Sequence, residues 1–173
     1  MKQGFVQMYI GDGKGKTTAA LGLAARAACA FLRVGIYQFM KGGPTSEMAL
    51  PWRFPGLIEI RQLGRPGFIN PGEPAPEDVA LAREGLAILA GETSWEFDIV
   101  IADEVLTAVT LGLLTEAEVE GMLEMRPRGT ELVMTGRYPR DGRLVGLADL
   151  VTEMCEVKHY WRNGIEARKG IEF

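Results

Sequence analysis

The run Gly11-Asp12-Gly13-Lys14-Gly15-Lys16-Thr17-Thr18 gathers the residue types that hold a polyphosphate. Glycines let several backbone N–H groups converge on one anion, and a helix starting directly afterwards adds the positive end of its dipole. Lys16 would bring a point charge to the outer phosphates, and Thr17 a hydroxyl for a magnesium ion. Lys16 and Thr17 are therefore candidate catalytic residues, and the whole run is a candidate nucleotide contact. A second cluster, Asp103-Glu104, closes the apolar run 97–102. Carboxylates leaving the C-terminal end of a strand near a phosphate loop hold magnesium directly or through water, because that ion takes oxygen ligands. This makes Thr17, Asp103 and Glu104 the candidate metal ligands. The competing reading of the acid pair is a helix N-terminus whose dipole favours anions. Lys41 in Met40-Lys41-Gly42-Gly43 and Arg137 after Gly136 also follow apolar runs. Each reads either as a phosphate contact or as a solvated loop side chain.

These residues need strands and helices in alternation to position them. Residues 5–10 predict a buried strand and 19–28 an alanine-rich helix, the strand–loop–helix layout of a phosphate-binding P-loop. Residues 33–39, 97–104 and 130–135 predict further strands, and 150–157 a final core strand. Val79, Ala82, Leu86 and Leu89 recur at helical spacing in a helix over 77–90 that Gly91 ends. Thr115 and Glu118 form a capping box for a helix through Met125. Asn163-Gly164 signals a hairpin turn. The segment 42–76 is rich in proline and glycine, with a strand only at 57–61. Its aromatics Trp52, Phe54 and Phe68 argue for order, and it reads as a substrate-covering region. The expected fold is α/β, a P-loop NTPase-like (RecA-like) three-layer sandwich with a mostly parallel central sheet.

Composition narrows the function. With 173 residues, 47% of them hydrophobic, the chain suits one domain with a full core. A net charge of −4 without a basic run argues against a nucleic-acid surface. No apolar stretch approaches a membrane span, and no signal peptide is expected ahead of a loop that begins so early. Cys29 and Cys155 stand alone, which suggests a reducing cytoplasm. The single His159 precludes a histidine-rich metal site.

One detail departs from the usual loop. With Gly15-Lys16-Thr17 as anchor, the first glycine would fall at position 10, where the chain has Ile10, and the loop carries a second lysine, Lys14. That form, GDGKGKTTAALGLAARA at 11–27, occurs with QFMKG at 38–42, TGR at 135–137, LADLVTEM at 147–154, VKH at 157–159 and KGIEF at 169–173. In this combination the chain resembles the P-loop corrinoid adenosyltransferases of cobalamin biosynthesis. The resemblance implies that reduced cobalt(I) attacks the ribose 5′ carbon of ATP and triphosphate leaves, with ATP held in the reverse sense to ordinary P-loop enzymes. It implies a triphosphate held by Gly13 to Thr18, magnesium on Thr17 with Asp103 or Glu104, and Arg26 and Arg137 near the nucleotide. Phe68 would help displace cobalt's lower axial ligand. A flavoprotein reductase and a homodimer are implied as well. The chain departs from better-studied members in having Asn70 where they carry tryptophan, and in lacking their N-terminal helical arm. Two other readings stay open: a phosphoryl-transferring ATPase or kinase, and a regulatory or corrinoid-carrier module without turnover.

Overall fold

The computed structural model describes residues 2–67, 69, 73–91 and 95–173, so Phe68 and Asn70 lie outside the described residues. Six strands, β1 (Val6–Ile10), β2 (Val34–Phe39), β3 (Ile58–Leu63), β4 (Ile99–Asp103), β5 (Glu131–Thr135) and β6 (Leu150–Glu153), form one sheet in the order β3-β2-β4-β5-β1-β6. Every described pairing is parallel, which sharpens the expected "mostly parallel". All six strand C-termini therefore reach one edge, where ligands bind in sheets of this kind.

Period-two patterning sorts the core into two layers. Met8, Ile10, Phe39, Val100, Ala102, Leu132 and Met134 face one side, packed on Leu86 and Leu89 of α3 (Pro76–Ala90), Leu106 of α4 (Val105–Thr110) and Val119 of α5 (Glu116–Glu124). Val34, Ile36, Ile99, Ile101 and Val133 face the other, against α1 (Lys16–Cys29). That helix meets the sheet through Ala20, Ala24, Ala27 and Ala28, whose short side chains let the helix axis lie close. Leu50 of the short α2 (Leu50–Arg53) packs on the same layer. Strands β2 and β4 are buried at every position and so are covered on both faces, as an apolar run requires.

Three expectations need correction. The final strand ends at Glu153 rather than 157, and all its residues are exposed: β6 is an edge strand paired only with β1, not a core strand. Asn163-Gly164 makes no hairpin. Tyr160–Asn163 is a turn of 3-10 helix, and Gly164 (φ 76°) closes it in the left-handed conformation that the hairpin turn would also have used. The 42–76 segment holds Ser46–Ala49 as 3-10 helix, α2 and β3 rather than one strand alone.

Candidate active site

The phosphate loop lies between β1 and α1, and its floor is the backbone that follows β6. Gly13 N–H donates to the Met154 carbonyl at 2.7 Å. A Cβ on Gly11 would stand 2.5 Å from that carbonyl oxygen, and its φ of 97° is a glycine conformation, so no other residue fits there. Gly15 caps α1, whose first turn carries no acidic residue and whose N-cap makes no side-chain hydrogen bond. The N–H groups of that turn face the loop, a disposition suited to an anion. Lys16 is only 8% exposed and curls back, its ammonium donating to the carbonyls of Gly11 at 2.7 Å and Gly13 at 2.8 Å. Burial pulls its pKa below the ordinary lysine value, and Glu104 opposes that pull.

The acid pair divides its work. Asp103 is 1% exposed and accepts four hydrogen bonds: from Thr17 (2.8 Å) and Thr135 (2.7 Å) on Oδ1, and from Lys41 (2.8 Å) and Gln38 (3.3 Å) on Oδ2. Burial works against the Lys41 charge, but the adjacent Asp103 carboxylate outweighs it and holds Lys41 above its ordinary value. Glu104 adopts a left-handed backbone, φ 63°, between β4 and α4. Thr135 secures this turn by accepting the Glu104 N–H at 2.9 Å, and Thr107 donates to the Glu104 carboxylate at 2.5 Å. Thr135 belongs to β5, the strand between the acid-bearing β4 and the loop-bearing β1, so one hydroxyl ties the two motifs together.

Two cavities open here. The larger, about 810 Å³, is bounded by Gly13, Lys16, Glu104, Arg137, by Gly42 to Thr45 and by Arg65 to Gly67, with Trp161 opposite. The smaller, about 230 Å³, lies over the start of α1 between Thr17, Thr18, Ile171 and Glu172. Lys14, Lys16, Glu104 and His159 line both. Of the sequence-predicted residues, Asp12, Arg137 and Lys41 border the larger cavity, and Arg137 and Asp12 approach to 4.0 Å as an exposed pair. Arg26 is not brought to the site. It sits exposed in the last turn of α1, about 15 Å along the helix from Lys16, near Tyr9, whose pKa burial and Glu131 raise and Arg26 only partly offsets. Arg65 anchors the far rim through Asp78 at 2.6 Å and 2.9 Å, and that guanidinium holds the Asp78 carboxyl below its usual range.

Gln38, Thr135, Thr107 and the segment 156–173 had no assigned role in the sequence reading. Gln38 and Thr135 did leave a trace: each is a polar residue at or next to the C-terminal end of a largely apolar strand, and the structure buries both fully.

The family described as ATP:corrinoid adenosyltransferase BtuR/CobO/CobP matches residues 2–173. The corrinoid adenosyltransferase of Pseudomonas aeruginosa is 34% identical over 174 residues, covering 99% of this chain and 85% of the relative. That of Escherichia coli is 35% identical over 178 residues, covering 99% and 87%. The corrinoid adenosyltransferase CobA of Salmonella typhimurium matches at the same identity and coverage. This chain belongs to the ATP:corrinoid adenosyltransferases. It is a transferase with the P-loop NTPase-like fold of that family, and ATP and a corrinoid are the substrate classes that go with membership. The C-terminal edge of this sheet offers a glycine-rich loop at the start of a helix and two adjoining cavities. Phosphoryl transfer, left open by the acid pair alone, is not favoured.

Proposed function

We propose that the chain, working as one domain, transfers the 5′-deoxyadenosyl group of ATP to the cobalt(I) of a reduced corrinoid and releases tripolyphosphate. The observation that carries the proposal is the meeting of two cavities at Lys14, Lys16 and Glu104. As cobalt's electron pair forms the bond to the 5′ carbon, the C–O bond to the α-phosphate breaks and negative charge grows on that oxygen. The loop N–H groups, the first turn of α1 and the Lys16 ammonium face that charge, and such preorganised donors are commonly the largest contribution to catalysis. To reach a phosphate Lys16 gives up a loop carbonyl, exchanging a neutral acceptor for a charged one.

Asp103 supports the same reading against a kinase. With both carboxylate oxygens already engaged by four donors, it is poorly placed to take a proton from an attacking hydroxyl. Magnesium fits the remaining donors. No group of three His, Cys, Asp or Glu forms a protein-only cage among the described residues, but this ion is commonly held by few protein oxygens plus substrate phosphates. Thr17 and Glu104 would hold it, with Asp103 orienting the Thr17 hydroxyl. When bound, it would neutralise triphosphate oxygens.

The remaining assignments rest on family membership. ATP lies in the reverse sense, Phe68 acts on cobalt's lower face, and the 42–76 segment covers the corrinoid. The enzyme works as a cytoplasmic homodimer with a flavoprotein reductase. The free thiols of Cys29 and Cys155 agree with a reducing compartment. Incubation with prereduced cob(I)alamin and MgATP, followed by phosphorus NMR, tests the reaction. Tripolyphosphate with adenosylcobalamin is expected, and ADP with inorganic phosphate would overturn it.

A further inference from the structure

The second loop lysine is turned away from the phosphate cradle and onto the segment 159–173. An ammonium carries three N–H donors, and those of Lys14 meet the Tyr160 hydroxyl at 3.0 Å, the Ile171 carbonyl at 3.2 Å and Glu172 Oε1 at 2.7 Å. Glu172 in turn accepts from the Tyr160 hydroxyl, from the Arg168 backbone N–H at 2.7 Å and from Arg168 Nε at 3.3 Å. At its far end the segment reaches Ser46, whose hydroxyl donates to the Phe173 carbonyl at 2.8 Å. The segment thus runs as a strap from the phosphate loop to the loop after β2, and Ile171, Glu172 and His159 wall the smaller cavity.

A phosphate reaching Lys14 must displace one of its three partners. Of these only Glu172 is anionic, and a carboxylate beside a phosphate is the costliest neighbour to keep. We infer that Glu172 is a built-in competitor of the triphosphate for Lys14, so that the strap yields Lys14 when a polyphosphate enters and recaptures it when tripolyphosphate leaves. This rests on the reading that the loop holds the triphosphate, and it assigns Glu172 as a positioning residue acting through Lys14. It also explains why a lysine that already has a partner belongs in this loop: the product leaves against a ready replacement.

The probe is tripolyphosphate itself, titrated calorimetrically at one ionic strength into the wild type, Glu172→Gln, Lys14→Met, the double variant and Lys16→Ala. Glutamine keeps an acceptor for Tyr160 and Arg168 while removing the charge. Glu172→Gln is expected to bind about threefold to fivefold more tightly, the scale of one partly exposed ion pair, and the gain should vanish in the Lys14→Met background. Unchanged or weaker binding by Glu172→Gln overturns the inference, as does an equal gain with and without Lys14, which would be general repulsion. Weakened binding by Lys16→Ala beside either of those results leaves the phosphate loop standing and removes only the competitor. Binding indifferent to Lys16→Ala removes both. Should Lys14→Met bind too weakly to titrate, amide hydrogen exchange of residues 168–172 in the wild type decides: saturating tripolyphosphate should accelerate it, and protection would overturn the exchange.

Discussion

The proposed nucleotide site has two walls held by different physics. On the sheet side, Gln38, Asp103 and Thr135 are fully buried near strand ends and joined through the Asp103 carboxylate, which Thr17 and Lys41 also reach. On the strap side, exposed ion pairs such as Arg162–Glu156 (2.7 Å) and Lys14–Glu172 (2.7 Å) hold residues that belong to no sheet. A buried polar network is costly to break because each orphaned group loses its partner without regaining water. Exposed pairs exchange readily with solvent and ligand. Rigid geometry thus lies on the side of the phosphate loop and the proposed magnesium ligands, and replaceable contacts lie on the side where the proposed substrate and product would pass.

Substitutions should separate the walls. Lys16→Ala should have the largest effect, lowering kcat by about 10²-fold or more, the scale of a lost charge-stabilising donor. Steady-state kinetics check this, and near-normal turnover would remove Lys16 from the phosphate role. Asp103→Asn should cost about 3 kcal/mol in urea unfolding, because it removes the buried anion that four donors share and deprives half-buried Lys41 of its nearer carboxylate. Glu104→Gln should instead lower activity while changing stability by about 1 kcal/mol or less, since its carboxylate faces the cavities. Similar stability losses for the two would erase the division of labour between these neighbours. Thr135→Val, nearly isosteric, should cost about 2 kcal/mol by stranding the Glu104 N–H and one Asp103 contact. Smallest of all, Arg162→Met on the strap should shift stability by no more than about 0.5 kcal/mol; a loss near that of Thr135→Val would mean the strap is structural.

The walls should also part with pH. Lys41 is raised above its ordinary value, so its contribution is complete below the unfolded lysine pKa of about 10.4 and is lost as pH rises through the folded value. Glu172 is depressed, chiefly by Lys14, so its contribution is present above the ordinary carboxylate value of about 4.3 and is lost only as pH falls well below it. Thermal melts should show the sheet wall failing in alkali, while amide exchange shows the strap loosening in strong acid. The reverse order would refute this assignment of charges.

Much of the sheet wall could be read from residue order. The glycine–lysine loop and the acids after 97–102 are local patterns, and local patterns survive without coordinates. Gln38 and Thr135 escaped because their role depends on register: Gln38 lies opposite Asp103 only once β2 pairs with β4, and no single strand states that. The helix Val105–Thr110, with Glu104 at its N-cap, entered only as the competing reading of the acid pair, because six residues are too few to display a period. The final strand was misread for a different reason. Leu150 and Val151 are apolar, yet they lie exposed at the sheet edge, so residue type alone mistook an edge for a core. Lys14 shows the same limit: its loop motif suggested a phosphate but said nothing of partners about 150 residues further along the chain.

The carbonyl under Gly13 belongs to Met154, and Met154 is itself set by its own N–H, which donates to Ile10 at 2.8 Å. The loop's hydrogen bond there is to main chain, while the Met154 sulfur lies beside Gly15, 3.3 Å from where a Cβ would stand. Evolution should accordingly find position 154 more permissive to replacement than to an added or deleted residue between 153 and 156. A single-residue indel would slide the floor out of frame beneath the loop while leaving every motif spelled as before.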